Sequence, residues 1–175
     1  MKTLLDNNQL NITLQRLAHQ LVENHLNFKN TAIIGIQPRG IFLSDRIAGM
    51  VRNITGRSDI EYGKLDNTFY RDDVHQGTIH LPEATDIDFN IEGKEVILVD
   101  DVLHTGRTIR AAMDALLDFG RPAKVELMVL IDRRFSRELP IQPDYVGRTI
   151  DTIITQKVQV CWQEKDDKDE VVLID

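Results

Sequence analysis

The chain has one cysteine, Cys161, so no internal disulfide can form, a pattern that fits a reducing cytoplasm. Cys161 lies in the alternating run Val158, Val160, Trp162, which marks it as a strand residue rather than a nucleophile. No Cys/His grouping has zinc-ligand spacing. No apolar run approaches a membrane span. The N-terminus lacks a basic region followed by an apolar core, and Asp6 interrupts it, so no export signal is expected. Repeats and low-complexity segments are missing too. Positive charge is in the minority: 21 Lys and Arg against 28 Asp and Glu give a net charge of −7. That balance opposes nucleic-acid binding unless basic residues cluster locally. What remains is ordinary for a soluble chain, 42% hydrophobic and 28% charged. A length of 175 residues suggests one domain, 1–175, with a substantial core.

The densest information lies in Val96-Ile97-Leu98-Val99-Asp100-Asp101-Val102-Leu103-His104-Thr105-Gly106-Arg107-Thr108. Val96 to Val99 is a continuous apolar run, suited to a strand buried on both faces. Two acids follow at its carboxyl end. Thr105 to Thr108 then lead into a helix whose face is Ile109, Ala112, Met113, Leu116 and Leu117, with Gly120 at its C′ position and Pro122 preventing continuation. Such a turn suits a phosphate. Free N–H groups at a helix start carry the positive end of the dipole. Gly106 permits close backbone approach, and the hydroxyls of Thr105 and Thr108 can donate. Asp100 and Asp101 cannot bind phosphate but can accept from a pair of hydroxyls. A sugar with vicinal hydroxyls and a phosphate satisfies both ends. Open α/β sheets bind ligands at this edge.

The rest of the chain repeats the strand–loop–helix theme. Residues 8–27 read as a helix with Leu14, Leu17, Ala18, Leu21 and Val22 on one face, leaving Arg16 and His19 to solvent. Thr31 to Ile36 is a second short strand. Gln37-Pro38-Arg39-Gly40 follows, then a helix carrying Leu43, Ile47, Ala48 and Val51. Ile60 to Leu65 and Thr68 to Arg71 read as strands, and Asp72 to Pro82 as a long mobile loop or hairpin tip of the kind that forms lids. Val125 to Ile131 is a third buried strand. Gln142 to Gly147 is turn-rich, Gln156 to Trp162 alternates as a strand, Glu164 to Glu170 is a solvated turn, and Val171 to Ile174 pairs back as a closing strand. Alternating strands and helices indicate an α/β fold, a central parallel sheet flanked by helices with right-handed crossovers. The late strands form a small cap.

The thirteen residues from Val96 to Thr108 resemble the phosphoribosyl pyrophosphate (PRPP) motif of type I phosphoribosyltransferases. The resemblance extends to Gln37-Pro38-Arg39-Gly40, in the place of the family's pyrophosphate loop, and to Tyr70-Arg71-Asp72-Asp73, at the start of its flexible lid, about 70–82. More narrowly, the chain is similar to a family of pyrimidine-operon regulators that are also uracil phosphoribosyltransferases. The stretches are Arg16-Leu17-Ala18-His19, Arg39-Gly40-Ile41, Phe69 to Asp73, Val96 to Thr108, Met113 to Leu116, Gly120-Arg121-Pro122, Asp132-Arg133, Arg137 to Ile141 and Asp144 to Gly147. This resemblance implies the type I fold with a hood built mainly from 132–175. It implies transfer of ribose 5-phosphate from PRPP to uracil, giving UMP and pyrophosphate. It assigns Asp100, Asp101 and Arg71 to catalysis. Pro38, Arg39, Gly40 and the run Val102, Leu103, His104, Thr105, Gly106, Arg107, Thr108 would hold PRPP, with Asp132, Arg133 and backbone near Ile150 close to the base. Mg²⁺ would come with PRPP, with no direct protein ligand expected beyond Asp100 and Asp101. A cytoplasmic homo-oligomer, dimer or higher, is implied.

Base choice and RNA rest on finer signals. Purine phosphoribosyltransferases carry an acid immediately before the Thr-Gly; here that position is His104, which weakens a purine reading. Arg16 and His19 match the family's RNA-binding surface, and Arg137 and Arg148 are further candidates for contact with mRNA. Residues 104–148 hold eight Lys/Arg and six Asp/Glu, a mildly basic half in an acidic chain. However, the family's Asp-Arg-Gly-His-Arg-Glu-Leu-Pro becomes Asp132-Arg133-Arg134-Phe135-Ser136-Arg137-Glu138-Leu139-Pro140, one residue longer and without the glycine and histidine, and Gln142 replaces an arginine. Two alternatives stay open: an RNA-binding regulator without turnover, and a phosphoribosyltransferase for another base. A phospho-acceptor receiver domain is disfavoured, because its acidic pair follows the first strand and no Thr-Gly-Arg-Thr comes after it.

Overall fold

The computed structural model describes residues 1–72, 82–153 and 155–175. Five parallel strands form the main sheet in the order β3–β2–β4–β5–β6: β3 Glu61–Leu65, β2 Thr31–Ile36, β4 Glu95–Leu103, β5 Lys124–Arg133 and β6 Tyr145–Ile150. β2 is buried at every position, as expected of a parallel strand covered on both faces. The alternation of side chains sorts the core into two layers. Ile33, Ile97, Val99, Met128 and Leu130 face α1 (Asn7–His25) and α2 (Gly40–Thr55), which contribute Leu14, Leu17, Leu21, Leu43 and Ile47. Ile34, Val96, Leu98 and Val129 face α3 (Arg107–Leu116), which contributes Ile109, Ala112 and Leu116.

α1 begins at a capping box. Asp6 Oδ1 accepts from Gln9 N at 2.8 Å, and Gln9 Oε1 accepts from Asp6 N at 3.1 Å, satisfying two end groups reciprocally. A second, antiparallel sheet joins the chain ends in the order β1–β8–β7, with β1 Lys2–Leu5, β7 Lys157–Cys161 and β8 Glu170–Ile174. It is fastened to α2 through Arg46. That guanidinium bonds Glu164 and Asp169 at 2.8 Å each and lies 4.9 Å over the ring of fully buried Trp162.

Several expectations need correction. Thr68–Tyr70 is one turn of 3₁₀ helix, not a strand, because the Asp66 carboxylate takes the amide (3.0 Å) and hydroxyl (2.6 Å) of Thr68 and bends the backbone. α3 stops at Leu116 and tightens into a 3₁₀ turn, Leu117–Phe119. Leu117 is thereby turned out to 63% exposure, and Met113 is also largely exposed. Gly120 follows that turn with φ 127° and ψ 175°, not as an α-helical C′ residue. The turn-rich segment from Gln142 leads into β6, which belongs to the main sheet. Asp144 locks its entry by donating its N–H to Leu127 O and accepting from Leu127 N, each at 2.8 Å. The acidic turn contains a short helix, α4 (Gln163–Asp166). β1 had no counterpart in the sequence reading. Of the expected lid, residues 73–81 lie outside the described residues. No helix among the described residues is long and apolar enough to cross a membrane.

Candidate active site

The strands β2 and β4 end side by side, and the loop after β4 lines the cavity while the loop after β2 supports it from beside. β2 runs into Gln37-Pro38-Arg39, with a cis bond before Pro38, and then into α2. The helix starts at Gly40 because nothing larger fits. A Cβ there would lie 2.6 Å from Val99 O and 3.0 Å from Asp100 Cα, so α2 rests directly on the end of β4. β4 continues past its apolar core through Asp100 and Asp101 to Leu103. The chain then turns through Gly106, whose φ of 93° favours glycine, into α3. Arg107 N donates to Thr105 Oγ1 (3.3 Å), and Thr108 O accepts from the buried amide of Asn67 (2.8 Å), which ties the phosphate-type loop to the root of the expected lid.

A cavity of about 550 Å³ opens over this loop. Its walls are Arg71, Asp72, Asp100, Val102, Leu103, His104, Thr105, Gly106, Arg107, Thr108, Ile109 and Glu138. Arg71, Asp100 and the run 102–108 are therefore brought together as the sequence proposed. Asp72, Ile109 and Glu138 were not foreseen as lining residues. Glu138 had a signal, since it sits in the family-like stretch Arg137 to Ile141, but nothing in sequence placed that stretch against residue 105. In the structure Glu138 N and Leu139 N both donate to Thr105 O, at 3.0 and 3.2 Å.

The two acids diverge. Asp100 borders the cavity, whereas Asp101 accepts from Arg39 Nε at 3.3 Å. Arg39 also donates to Val160 O and lies 3.6 Å from Asp166, so it joins β4, β7 and α4. Both carboxyls are buried. Burial, with the charge of Asp101 beside it, pushes Asp100 well above the usual carboxylate range, and Arg71 opposes that shift. Burial raises Asp101 as well, opposed by Arg39. Burial lowers His104, and the nearby charges of Arg133 and Arg137 act in the same direction while Glu138 opposes. Among the described residues no three His, Cys, Asp or Glu side chains gather as a metal-ligand set.

The residues expected near a base stand beside the cavity rather than in its wall. Asp132 and Arg133 end β5 and are both buried. Asp132 accepts from Arg137 at 2.5 Å. Arg133 donates to Thr152 Oγ1 (2.9 Å) and Gln156 O (2.8 Å), bracing the segment before β7. The carbonyl of Ile150 is taken by Arg134 N at 3.2 Å. The four residues considered for RNA do not form one group. Arg16 and His19 are exposed on α1, and Arg16 reaches the neighbouring β6 through Val146 O (3.1 Å) and Gly147 O (2.5 Å). Arg148 is exposed on β6 and donates to Leu4 O. Arg137 is instead turned inward, holding His104 O at 2.6 Å as well as Asp132.

Comparison with known proteins agrees with this geometry. The phosphoribosyl transferase domain matches residues 1–165. A protein of Elusimicrobium minutum named bifunctional protein PyrR is 46% identical over 174 residues, covering 99% of this chain and 96% of the relative. A protein of the same name from Desulfosudis oleivorans is 49% identical over 170 residues, covering 97% and 93%. A hypoxanthine phosphoribosyltransferase from Trypanosoma cruzi in a ternary substrates complex superposes with a TM-score of 0.76 at 17% identity, covering all of this chain and 95% of that one, a likeness of fold. The chain belongs to the phosphoribosyltransferase family and, within it, to the PyrR proteins.

Proposed function

We propose that this chain transfers ribose 5-phosphate from PRPP to uracil, producing UMP and pyrophosphate. The observation that carries the reading is the single cavity in which a buried carboxylate at a strand end, Asp100, and a glycine turn at a helix start share one wall. Transfer passes through an oxocarbenium-like state with positive charge on the ribose ring. Asp100 accepts from the ribose hydroxyls, and its charge stabilises that cation in a site with little water to screen it. Thr105 to Thr108 and the first turn of α3 receive the 5′-phosphate. Arg71, in the cavity wall, meets the departing pyrophosphate, while Arg39 and the Pro38–Gly40 turn stand behind the wall at the end of β2. Asp101 fixes Arg39 there. On the base side, Asp132 backs the cavity wall from outside through Arg137, which holds His104 O, while Arg133 and Ile150 brace the segments behind it.

Phosphoribosyltransferases generally use Mg²⁺ with PRPP. Asp100 at the cavity wall, with Asp101 beside it, could offer carboxylate oxygens to an ion that arrives on the substrate phosphates. When bound, it neutralises charge on the pyrophosphate. A homo-oligomer in the cytoplasm completes this reading.

The test is uracil-dependent release of pyrophosphate from PRPP with Mg²⁺, with hypoxanthine as control base and Asp100→Asn as control variant. Turnover with uracil alone, reduced on the order of 10²–10³-fold in the variant as for loss of one preorganised electrostatic group, supports the assignment. No turnover with any base sinks it.

RNA-linked regulation of pyrimidine genes is a second reading. It is favoured by the exposed Arg16 and His19 standing next to β6, which carries exposed Arg148. Gel-shift titration of a pyrimidine-operon leader transcript, with and without UMP, tests it. Arg148→Glu should weaken a genuine complex, and equal binding of an unrelated transcript would dismiss the idea.

A further inference from the structure

The side chain of Arg107 is held between two acids from opposite sides of the cavity. Its Nε donates to Glu138 Oε2 at 2.6 Å and its Nη1 to Asp72 Oδ2 at 2.8 Å. Both acids line the same cavity that carries the phosphate-type loop. Their negative charges would repel a phosphate if left alone, and a half-exposed arginine would sample many rotamers if left alone. Paired with Arg107, and Asp72 also with Arg110 at 3.7 Å, the acids are neutralised by two guanidiniums, and a planar cation is fixed beside the loop. Glu138 is fixed in turn, because its own backbone N–H donates to Thr105 O at 3.0 Å. The carboxylate therefore reports the position of the loop to the guanidinium through a rigid local unit.

We propose that Glu138 is a positioning residue for the 5′-phosphate of the ligand: it sets the rotamer of Arg107, which then engages the phosphate, while Asp72 holds the end of the same guanidinium. This rests on the nucleotide-binding reading above. It predicts an effect largely confined to ligands that carry the phosphate, because the guanidinium that Glu138 holds belongs to the phosphate-type loop.

The experiment is direct calorimetric binding of UMP and of uridine to the full chain, free of any dependence on turnover. Glu138→Ala should weaken UMP on the order of tenfold, the worth of one charge-assisted hydrogen bond, and leave uridine unchanged. Glu138→Gln, which keeps an acceptor for Nε–H, should lose less. In an Arg107→Ala background the Glu138→Ala change should cost nothing further and should recover part of the lost UMP affinity, because it removes a carboxylate left unpaired beside the phosphate. Additive losses, equal weakening of uridine, or tighter UMP binding in Glu138→Gln would each overturn the proposal; the last would mean that the carboxylate only opposes the phosphate. Failure of the wild-type chain to bind UMP at all would overturn the nucleotide-binding reading together with it, and so is distinct from the other outcomes.

Discussion

Asp100 costs stability while the cavity is empty. Its carboxyl is 7% exposed and neighbours a second acid, and these raise its folded-state value well above the ordinary 3.8. A carboxyl raised on folding binds its proton more tightly in the native state. Its favourable contribution is complete below the ordinary value and is lost as pH rises through the folded one. The ionised form is therefore held against its preference in the folded chain, a cost that a cation developing on the ribose would offset under the proposed mechanism. Asp100→Asn removes this cost. Without ligand the variant should melt higher than wild type at pH 7, by on the order of a few degrees, since ~1 kcal/mol corresponds to ~2–4 °C at this chain length. The gap should close below about pH 4, where the wild-type carboxyl is protonated in both states. Differential scanning calorimetry across pH checks it, and a variant less stable than wild type at pH 7 contradicts it. A gain in stability beside a loss of turnover is the trade expected of a group placed for catalysis.

At the scale of elements, the site depends on α2 resting on β4. Gly40→Ala places a methyl 2.6 Å from Val99 O, so either α2 or the end of β4 must move. The expected loss is ~1–3 kcal/mol, as for overpacking elsewhere, seen as a lower urea midpoint. KM for PRPP should rise, because Arg39 and Asp100 stand on either side of the contact. A variant with unchanged midpoint and KM would mean that the contact has slack. This same neighbourhood explains what sequence could tell. The run from Val96 to Thr108 is legible because strand, acids, glycine turn and helix are contiguous, and each has a local signature. Gly40 read as a loop glycine, but it is the first residue of α2 with no positive φ, and its role against β4 was not legible because the partner lies some 60 residues away in sequence (40 to 99). Thr68–Tyr70 read as a strand because Thr, Phe and Tyr favour sheets, and the Asp66 side chain outweighed that preference. Glu138 and Asp72 could not be read as a pair, because only folding brings both to Arg107.

The whole molecule has two poles. The carboxyl ends of the parallel strands carry the cavity. The amino ends carry a buried polar network in which the imidazole nitrogens of His25 lie 2.6 Å from Glu126 Oε2 and 3.0 Å from Glu95 Oε2. Tyr145 donates to the same Glu126 oxygen at 3.1 Å, and Lys124 holds its other oxygen at 2.5 Å. This network joins the end of α1 to β4, β5 and β6 and touches nothing in the cavity wall. Burial alone would raise Glu126, but the bonds from Lys124 and His25 outweigh it and hold the carboxyl below its ordinary 4.5. Stability from such a group is present above the ordinary value and lost as pH falls through the depressed one. Glu126→Ala leaves the His25 ring nitrogen and the Tyr145 hydroxyl without that acceptor. Leaving these buried partners unsatisfied costs ~1–3 kcal/mol, a fall of several degrees in melting temperature. The deficit against wild type should be full at pH 7 and narrow below about pH 4, as the wild-type carboxyl protonates. Measured at a temperature where the variant is still folded, kcat/KM for PRPP should equal the wild-type value. A fall of tenfold or more there would show that strain at the amino pole reaches the cavity through the sheet, and that the two poles do not act independently.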